Sequence, residues 1–479
     1  MSQAVPAEAG EIIPAEALST RPLIKQLLWL ALPVLSEHVL HMLVGLTDTY
    51  LANHLHRYTS SDAVTAQRQL AESASAAAAV GTMAYILWFI GLFVSAIGTG
   101  ATAIIARATG AKHRSLANSI CGQSVTVAVI LGLGLGGMFY LAHDAISNIT
   151  RLHGQAQLYA DSYLRLLAFA LPFSSVMFIA NACLRGAGDT LTPAMSMVVV
   201  DIVNIALSFG LTYGWWGLPE MGFRGIAMGT LIAYTSGGLL QFFVLVRGRG
   251  GIRLYLHRMK PHWHNLKRLL RIGVPSAIEG LIHWAANFAL LIVINHMDPT
   301  NISAAAHANA IRIESISYMA GFAVATAAAT MVGQSLGMRS ARRATRSGYL
   351  AYALGGGIMT LCGIMFVFFA HVPAAMMSDH PEVIHLTTWC LIVTGFIQFA
   401  FAAAAVFGGA LRGAGDTMAV MLINMTSVIA VRFAGVLIVG LWLDLGLVWI
   451  WVVLSGELLI RGLLMYGRWV HGGWRRIQV

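Results

Sequence analysis

Charge is scarce in this sequence. Lys, Arg, Asp and Glu together make up 10% of the 479 residues, against 57% hydrophobic ones, and the mean hydropathy is strongly positive. A soluble globular chain carries about 25% charged residues, so the polar surface here is too small to face water on all sides. Lipid is the solvent that this composition fits. Acids are scarcer still than bases, 20 against 30, which leaves a formal net charge of +10. An excess of base raises nucleic acid as a partner. The basic residues form no stripe with interleaved aromatics, however, and recur in short clusters between apolar runs, so no nucleic-acid partner is expected. Cysteine is rare as well. Cys121, Cys183, Cys362 and Cys390 lie in or at the ends of apolar runs with no paired and no metal-ligand spacing, and they read as packing residues. No P-loop, nucleophile–base motif or dense ligand cluster is present, so neither an enzyme nor a bound metal or cofactor is expected. The first twenty or so residues lack an apolar core ahead of a cleavage site, so no signal peptide is expected and the N-terminus is placed in the cytoplasm.

What is present is a series of apolar runs. A hydrocarbon core about 30 Å thick needs about 20 apolar residues per helix, and twelve runs reach that length: 25–51, 75–106, 116–142, 158–184, 190–214, 222–246, 267–296, 302–336, 345–370, 383–411, 417–442 and 446–468. The fold class is therefore all-α, a polytopic membrane protein of twelve transmembrane helices. Lys and Arg are retained on the cytoplasmic side. With the N-terminus inside, that side holds Arg21, Lys25, Arg107, Lys112, Arg114, Arg185, the run from Arg247 to Arg271, Arg339 to Arg346, Arg412, and Arg468 to Arg476. The outer loops hold only Arg57, Arg68, Arg151 and Arg224. Both termini come out cytoplasmic, in a multi-pass protein of the inner (plasma) membrane, and the loop from His54 to Glu72 comes out external. The basic run at mid-chain is the natural linker, read as a solvated loop.

The chain also repeats itself. LRGAGDT at 184–190 recurs at 411–417, an offset of 227 residues that also relates Gly110 to Gly337. LPVLSEHVLH around Pro33 matches VPSAIEGLIH around Pro275 at an offset of 242, the extra 15 residues being added length between helices 1 and 2. An even number of helices per copy keeps both copies in the same orientation, with a cleft between two lobes whose rocking gives alternating access. The expected organisation is a tail at 1–24, a six-helix lobe at 25–246, a basic linker at 247–266, a second six-helix lobe at 267–468 and a tail at 469–479. LRGAGDT itself reads as a mechanical element. An Arg ends one helix at the cytoplasmic surface, two glycines permit a tight turn, and Asp-Thr caps the next helix.

Ionisable groups inside apolar helices are costly and are therefore functional candidates. At 100° per residue, Glu37, His41 and Asp48 of helix 1 fall within about 40° of one another, a single polar stripe from which His38 departs. Asp48 has no acid in the repeat, where Leu290 takes its place. In helix 5, Asp201, Asn204 and Ser208 share a face. Glu37 with His41 recurs as Glu279 with His283, pairs one turn apart that read either as a cleft lining or as internal bracing. Arg312 and Glu314 are about 200° apart, so one faces the cleft and the other a neighbouring helix. Arg432 in helix 11 is a candidate partner for Glu279 or Glu314. Asp161 with Arg165 and Glu457 with Arg461 have the spacing of internal ion pairs.

The repeated LRGAGDT, the LPVL…GLTDTYLANHL of helix 1 and AAHANAIRIESISYMAGFAVATAAATMVGQSLG of helix 8 resemble the multidrug and toxic compound extrusion (MATE) family, most of all its bacterial branch related to DNA-damage-inducible protein F. The resemblance runs from about residue 23 to about residue 470. It implies two six-helix bundles around a central cleft, and export of small cationic or amphipathic organic compounds driven by inward flow of protons or sodium ions. Asp48 matches the family's helix 1 aspartate, which takes part in ion coupling, and Asn204 matches its helix 5 asparagine. Ser208 stands where the family often has an aspartate, a departure that counts against a sodium site and favours protons. Asp48, Asp201 and Asn204 are therefore the expected ion-coupling residues, and Glu37, His41, Glu279, His283, Arg312, Glu314 and Arg432 the cleft candidates. A monomer in contact with membrane lipid is expected. The competing readings are a flippase for a lipid-linked precursor and, further off, a membrane-embedded enzyme; the acids and histidines among the cleft candidates favour a cationic or neutral cargo over a pyrophosphate.

Overall fold

The computed structural model describes residues 20–56, 62–149, 152–260, 262–298 and 300–477. The tail at 1–19, Arg57, Arg151 and the outer end of the first loop around Ser61 lie outside the described residues. The spans are α1 (Thr20–Asn53), α2 (Ala63–Gly110), α3 (Arg114–Leu141), α4 (Gln155–Ala187), α5 (Leu191–Tyr213), α6 (Phe223–Arg247), α7 (Trp263–Met297), α8 (Ile302–Gly337) and α9 (Ala341–Phe369). They continue with α10, in two pieces (Pro381–Gly395 and Gln398–Gly413), α11 (Thr417–Trp442) and α12 (Leu447–His471). Among the described residues, eleven helices are long and apolar enough to cross a membrane, and α10 makes a twelfth if its two pieces, bent by 60°, form one span. Among the described residues the only extended pairing is an isolated bridge between Arg249 and Ile252. The fold is all-α and multi-pass.

The apolar stretches set these helices, and small residues set how closely they pack. Within the first six, α4 packs against α2, α3 and α6, and α5 against α1 and α6; within the last six, α10 packs against α8, α9 and α12, and α11 against α7 and α12. The same scheme is thus built twice, as the sequence repeat requires. Two departures from regular helix escape the sequence. In α10, Gly395 lies so close to the Gly363 carbonyl that a Cβ would crowd it, and the chain breaks there. In α11, the segments Val428–Phe433 and Ile438–Trp442 are π-helical; the extra residue in such a turn rotates the side chains that follow.

The ends that carry the basic clusters meet on one face, the basic face. Arg346 Nη2 donates to Thr20 Oγ1 at the start of α1, Arg107 Nη1 donates to the Ile477 carbonyl at 2.7 Å, and Arg258 Nη1 donates to the Ser115 carbonyl at 2.8 Å. The linker is not a free solvated loop. Gln123 in α3 donates to the Arg258 and Lys260 carbonyls, Thr126 donates to the Met259 carbonyl, and Ile252 and Leu254 are buried. Two polar side chains of α3, making three hydrogen bonds, and two apolar linker residues outweigh the basic charge that marked this segment as solvated. On the opposite face Asp298 starts the turn into α8. Hydrogen bonds from Thr300 and from the Ser303 amide hold its carboxyl down to about 2.

The two halves touch most closely at the basic ends of α2 and α8. A Cβ at Gly110 would overlap the Gln334 carbonyl, and one at Gly337 would overlap the Arg107 carbonyl. Arg107 and Gln334 are repeat equivalents, and each reaches the LRGAGDT segment of the other half: Arg107 Nη2 donates to the Ala414 carbonyl and Gln334 Nε2 to the Gly186 carbonyl, both at 3.4 Å. Thr330 adds a bond to the Arg185 carbonyl at 3.0 Å. The basic face is thereby closed. Replacing Gly110 with Ala is expected to force α2 and α8 apart at this end. Spin labels at Lys112 and Arg339 should report a longer distance in the variant, and an unchanged distance distribution would show that closure does not depend on this contact.

Candidate functional site

Asp48 lies about 8 Å inside the end of α1 away from the basic face, five residues before Asn53 at 1.5 Å each. Its helical face also carries Val44, Leu51 and Ala52, all buried. That face turns the carboxylate into the first six helices, where its exposure is 3%. Tyr163 of α4 donates to Asp48 Oδ2 at 2.7 Å. Thr230 of α6 donates to the same carboxylate, 3.0 Å from Oδ1 and 2.9 Å from Oδ2. Thr230 in turn accepts from Asn204 Nδ2 at 3.0 Å, and Asn204 also donates to Ser208 Oγ at 3.3 Å. Glycine makes the geometry possible. A Cβ at Gly229 would overlap Ser208 and one at Gly225 would crowd Leu211 and Thr212, so α6 lies directly on α5 and brings Thr230 to Asn204. The result is a buried carboxylate with hydroxyl donors and, among the described residues, no arginine or lysine bonded to it.

Asp201 is not part of this network. It is 4% exposed, and neither carboxylate oxygen has a hydrogen-bond partner; Tyr234 is within electrostatic reach. Of the two helix 5 residues expected beside Asp48 in ion coupling, the structure brings Asn204 into its network through Thr230 and leaves Asp201 outside, nearly one turn further toward the basic face. Tyr163 and Thr230 were not legible in the sequence. Each is an ordinary residue of its own apolar run, and only packing brings three helices to one carboxylate.

The repeated glutamates have a shared role of another kind. Glu37 accepts from Arg185 Nη1 at 2.7 and 2.9 Å and from Asn181 Nδ2 at 3.0 Å. In the second copy Glu279 pairs with Arg412 and accepts from Asn424. Each glutamate thus ties the first helix of its half to the arginine of LRGAGDT. The turn in that motif is as expected, with Gly188 (φ +95°) and Gly415 (φ +86°) in the left-handed region that glycine enters without strain. The expected capping holds in the first copy, where Asp189 accepts from the Thr192 amide at 3.0 Å. The second copy differs. Asp416 pairs with Arg468 of α12 at 2.8 Å and makes no capping bond.

The remaining candidates divide between internal pairs and open surface. Arg432 does not bond Glu279 or Glu314. Its Nε and Nη2 both donate to Glu457 Oε2, at 3.2 and 2.8 Å, and its Nη1 donates to Asn287 at 3.2 Å. The π-helical turn that contains Arg432 aims it at α12, a rotation that regular 100° spacing does not anticipate. Arg461 donates to the same Glu457 oxygen at 3.0 Å, so the expected pair at 457 and 461 is joined by a second arginine. Glu314 is buried and accepts from Thr394 and Gln398, which bracket the break in α10. Arg312, two residues away, is exposed, as expected for residues on different faces. His41 is exposed and edge-on to Phe178 at 5.5 Å, so it leaves the buried stripe of Glu37 and Asp48. His283 is half-buried, within electrostatic reach of Arg432 and Arg461. Asp161 pairs with Arg165 at 3.1 Å, and His143 and Asp144 gather beside it. These three residues, one histidine and two aspartates, lie close enough together to hold a metal ion, but the Arg165 guanidinium already supplies the counter-charge.

The profile of the MatE family matches residues 33–209 and 275–437. A relative from Thermotoga maritima described as probable multidrug resistance protein NorM is 29% identical over 461 residues, covering 95% of this chain and 94% of its own length. The Vibrio cholerae MATE transporter VcmN in its bent form has a TM-score of 0.82 at 18% identity, over 95% of this chain and 98% of its own. A MOP superfamily transporter from Pyrococcus furiosus, described as having a binding pocket of reverse polarity, has a TM-score of 0.83 at 19% identity, over 95% and 97%. With two family matches that fall one in each copy of the repeat, and a shared fold over nearly the whole length, the chain belongs to the MatE family and is a multi-pass membrane transporter, not an enzyme.

Proposed function

We propose that this protein is a secondary antiporter that exports small organic, amphipathic molecules in exchange for protons, by alternating access between lobes at 25–246 and 267–468. The observation that carries the reading is Asp48, a carboxylate shut inside one lobe that accepts from the Tyr163 and Thr230 hydroxyls and, among the described residues, pairs with no cation. Such a group becomes electrically balanced by taking up one proton, and the three helices that meet on it are then free to repack. The name of the Thermotoga relative points to multidrug cargo. So do the ring surfaces: Trp284 and Phe288 of α7 are stacked at 5.6 Å, with Phe89 of α2 beside Trp284. No cationic charge is assigned to the cargo, because Glu37, Glu279 and Glu457 are each neutralised by arginine. Sodium is the second reading. Asn204 Oδ1 is buried without a partner and would add a neutral oxygen to the carboxylate and hydroxyls.

The deciding measurement is dye uptake into inverted vesicles containing the purified protein. A pH gradient imposed at constant sodium is expected to drive it, and a sodium gradient at fixed pH is not. The reverse result would replace protons by sodium, and no uptake under either would remove the antiport reading. The basic face is proposed to be cytoplasmic. Single cysteines at Lys260 and Ser61 should then label from opposite sides of intact cells, and same-sided labelling would reject the six-plus-six topology.

A further inference from the structure

On the basic face, a groove of about 760 Å³ lies at the start of α9, where the C-terminal 3₁₀ turn Gly473–Arg476 folds back toward it. Three arginines line it, Arg342, Arg346 and Arg475, together with Tyr349, Leu350 and Ala353. All three arginines are exposed, and none belongs to any ion pair among the described residues. Arg342 and Arg346 are one helical turn apart on α9. Arg475 is brought to them by a fixed tail. Trp474 is fully buried, stacks on Trp469 at 4.1 Å and donates to its carbonyl at 2.9 Å, and the Arg475 guanidinium lies over the Trp474 ring at 5.4 Å. A protein that gathers three cations without an acid leaves a place for an anion with several acceptor oxygens.

The apolar side of the groove says which kind of anion. From Tyr349 onward one side of α9 stays exposed and apolar through Ala353, Leu361, Ile364 and Phe368, all within about 120° of one another on the helix, and this stripe runs on into the span. A soluble anion would have no use for that wall. The repeat sharpens the point. A second groove of about 670 Å³ occupies the equivalent place at the start of α3, and Lys112 and Arg339, which correspond, share a left-handed φ of 58°. Yet Arg342 and Arg346 correspond to Ser115 and Ser119 there, so the paired guanidiniums on the helix belong to one half only. We propose that the groove at α9 is a binding site for an anionic phospholipid of the leaflet at the basic face. The phosphate is held by Arg342, Arg346 and Arg475, and an acyl chain runs along Tyr349, Leu350 and the α9 stripe. Basic pockets beside membrane helices recognise lipid headgroups in this way.

The test uses the full chain in nanodiscs. Retention of dioleoyl phosphatidylglycerol is read by native mass spectrometry, and the thermal midpoint is read beside it, with dioleoyl phosphatidylcholine as the neutral comparison. The triple variant Arg342→Gln, Arg346→Gln, Arg475→Gln is expected to retain phosphatidylglycerol about a hundredfold less, since each arginine near an anionic surface is worth about a factor of five. Its behaviour in phosphatidylcholine should match wild type. If the triple variant fails to fold, Arg342→Gln alone removes one exposed, unpaired charge and is expected to cost about fivefold. Unchanged retention, or an equal loss with both lipids, overturns the site. So does stabilisation of the wild type by inorganic phosphate as strong as that by phosphatidylglycerol, which would make it a site for a soluble anion.

Discussion

Asp48→Asn is expected to yield a folded, inserted protein that no longer couples an ion gradient to export. The amide keeps the shape of the carboxylate and imitates its protonated state, so Tyr163 and Thr230 retain an acceptor while the titrating step is gone. Gradient-driven uptake into inverted vesicles should fall to the level of empty vesicles under either a pH or a sodium gradient, while binding of a fluorescent substrate persists. Two companions separate the network from mere burial. Tyr163→Phe removes one donor to the carboxylate, a bond worth about 1.5–3 kcal/mol when the acceptor is charged, and should shift the pH dependence of transport without abolishing it. Asp201→Asn touches no bond of the network and should weaken coupling least. Wild-type transport by Asp48→Asn would move the coupling site elsewhere, first to Glu314, the buried acid of the other half that accepts only from neutral side chains.

Glu457→Gln is expected to cause the largest loss of stability of any single substitution named here. Glu457 is fully buried, and one of its oxygens accepts from both Arg432 and Arg461. Removing its charge strands two guanidiniums in a low-dielectric interior. Breaking a buried pair in this manner costs about 3–5 kcal/mol, and here two cations lose one partner. The apparent melting temperature in detergent should fall well below that of wild type. The triple replacement Arg432→Met, Glu457→Leu, Arg461→Met should recover most of the loss, because an apolar set of similar volume leaves no charge unpaired. A Glu457→Gln protein as stable as wild type would mean that water reaches the cluster and that the arginines belong to the cleft surface.

The helical spans, eleven with a twelfth if both pieces of α10 form one, and the Asp161–Arg165 and Glu457–Arg461 pairs follow from local spacing, and among the described residues the structure has them there. The split between Arg312 and Glu314 followed from helical geometry alone. Arg432 shows where such reasoning stops. Its partner depends on a π-helical turn that adds a residue within α11, and a 100° wheel has no term for it. The same holds for the 60° break in α10 that presents Thr394 and Gln398 to Glu314. LRGAGDT lies between these cases. Its left-handed glycine turn was readable from the motif, but its arginine's bond to Glu37 or Glu279, and its carbonyls' bonds to α2 and α8, span 133 residues or more.

The sequence by itself determined that this is a duplicated helical membrane protein and that Asp48 is an acid in an apolar helix with no counterpart in the repeat. The helical spans follow from the apolar runs that lipid requires, and the duplication and the missing counterpart follow from the repeated motifs; neither depends on how the helices pack. Only the tertiary structure decided which acids are neutralised and which is left with hydroxyls alone. That choice depends on side chains from three helices meeting within about 3 Å, a distance set by the small residues that let helices touch and by the turns where their backbones depart from regular geometry.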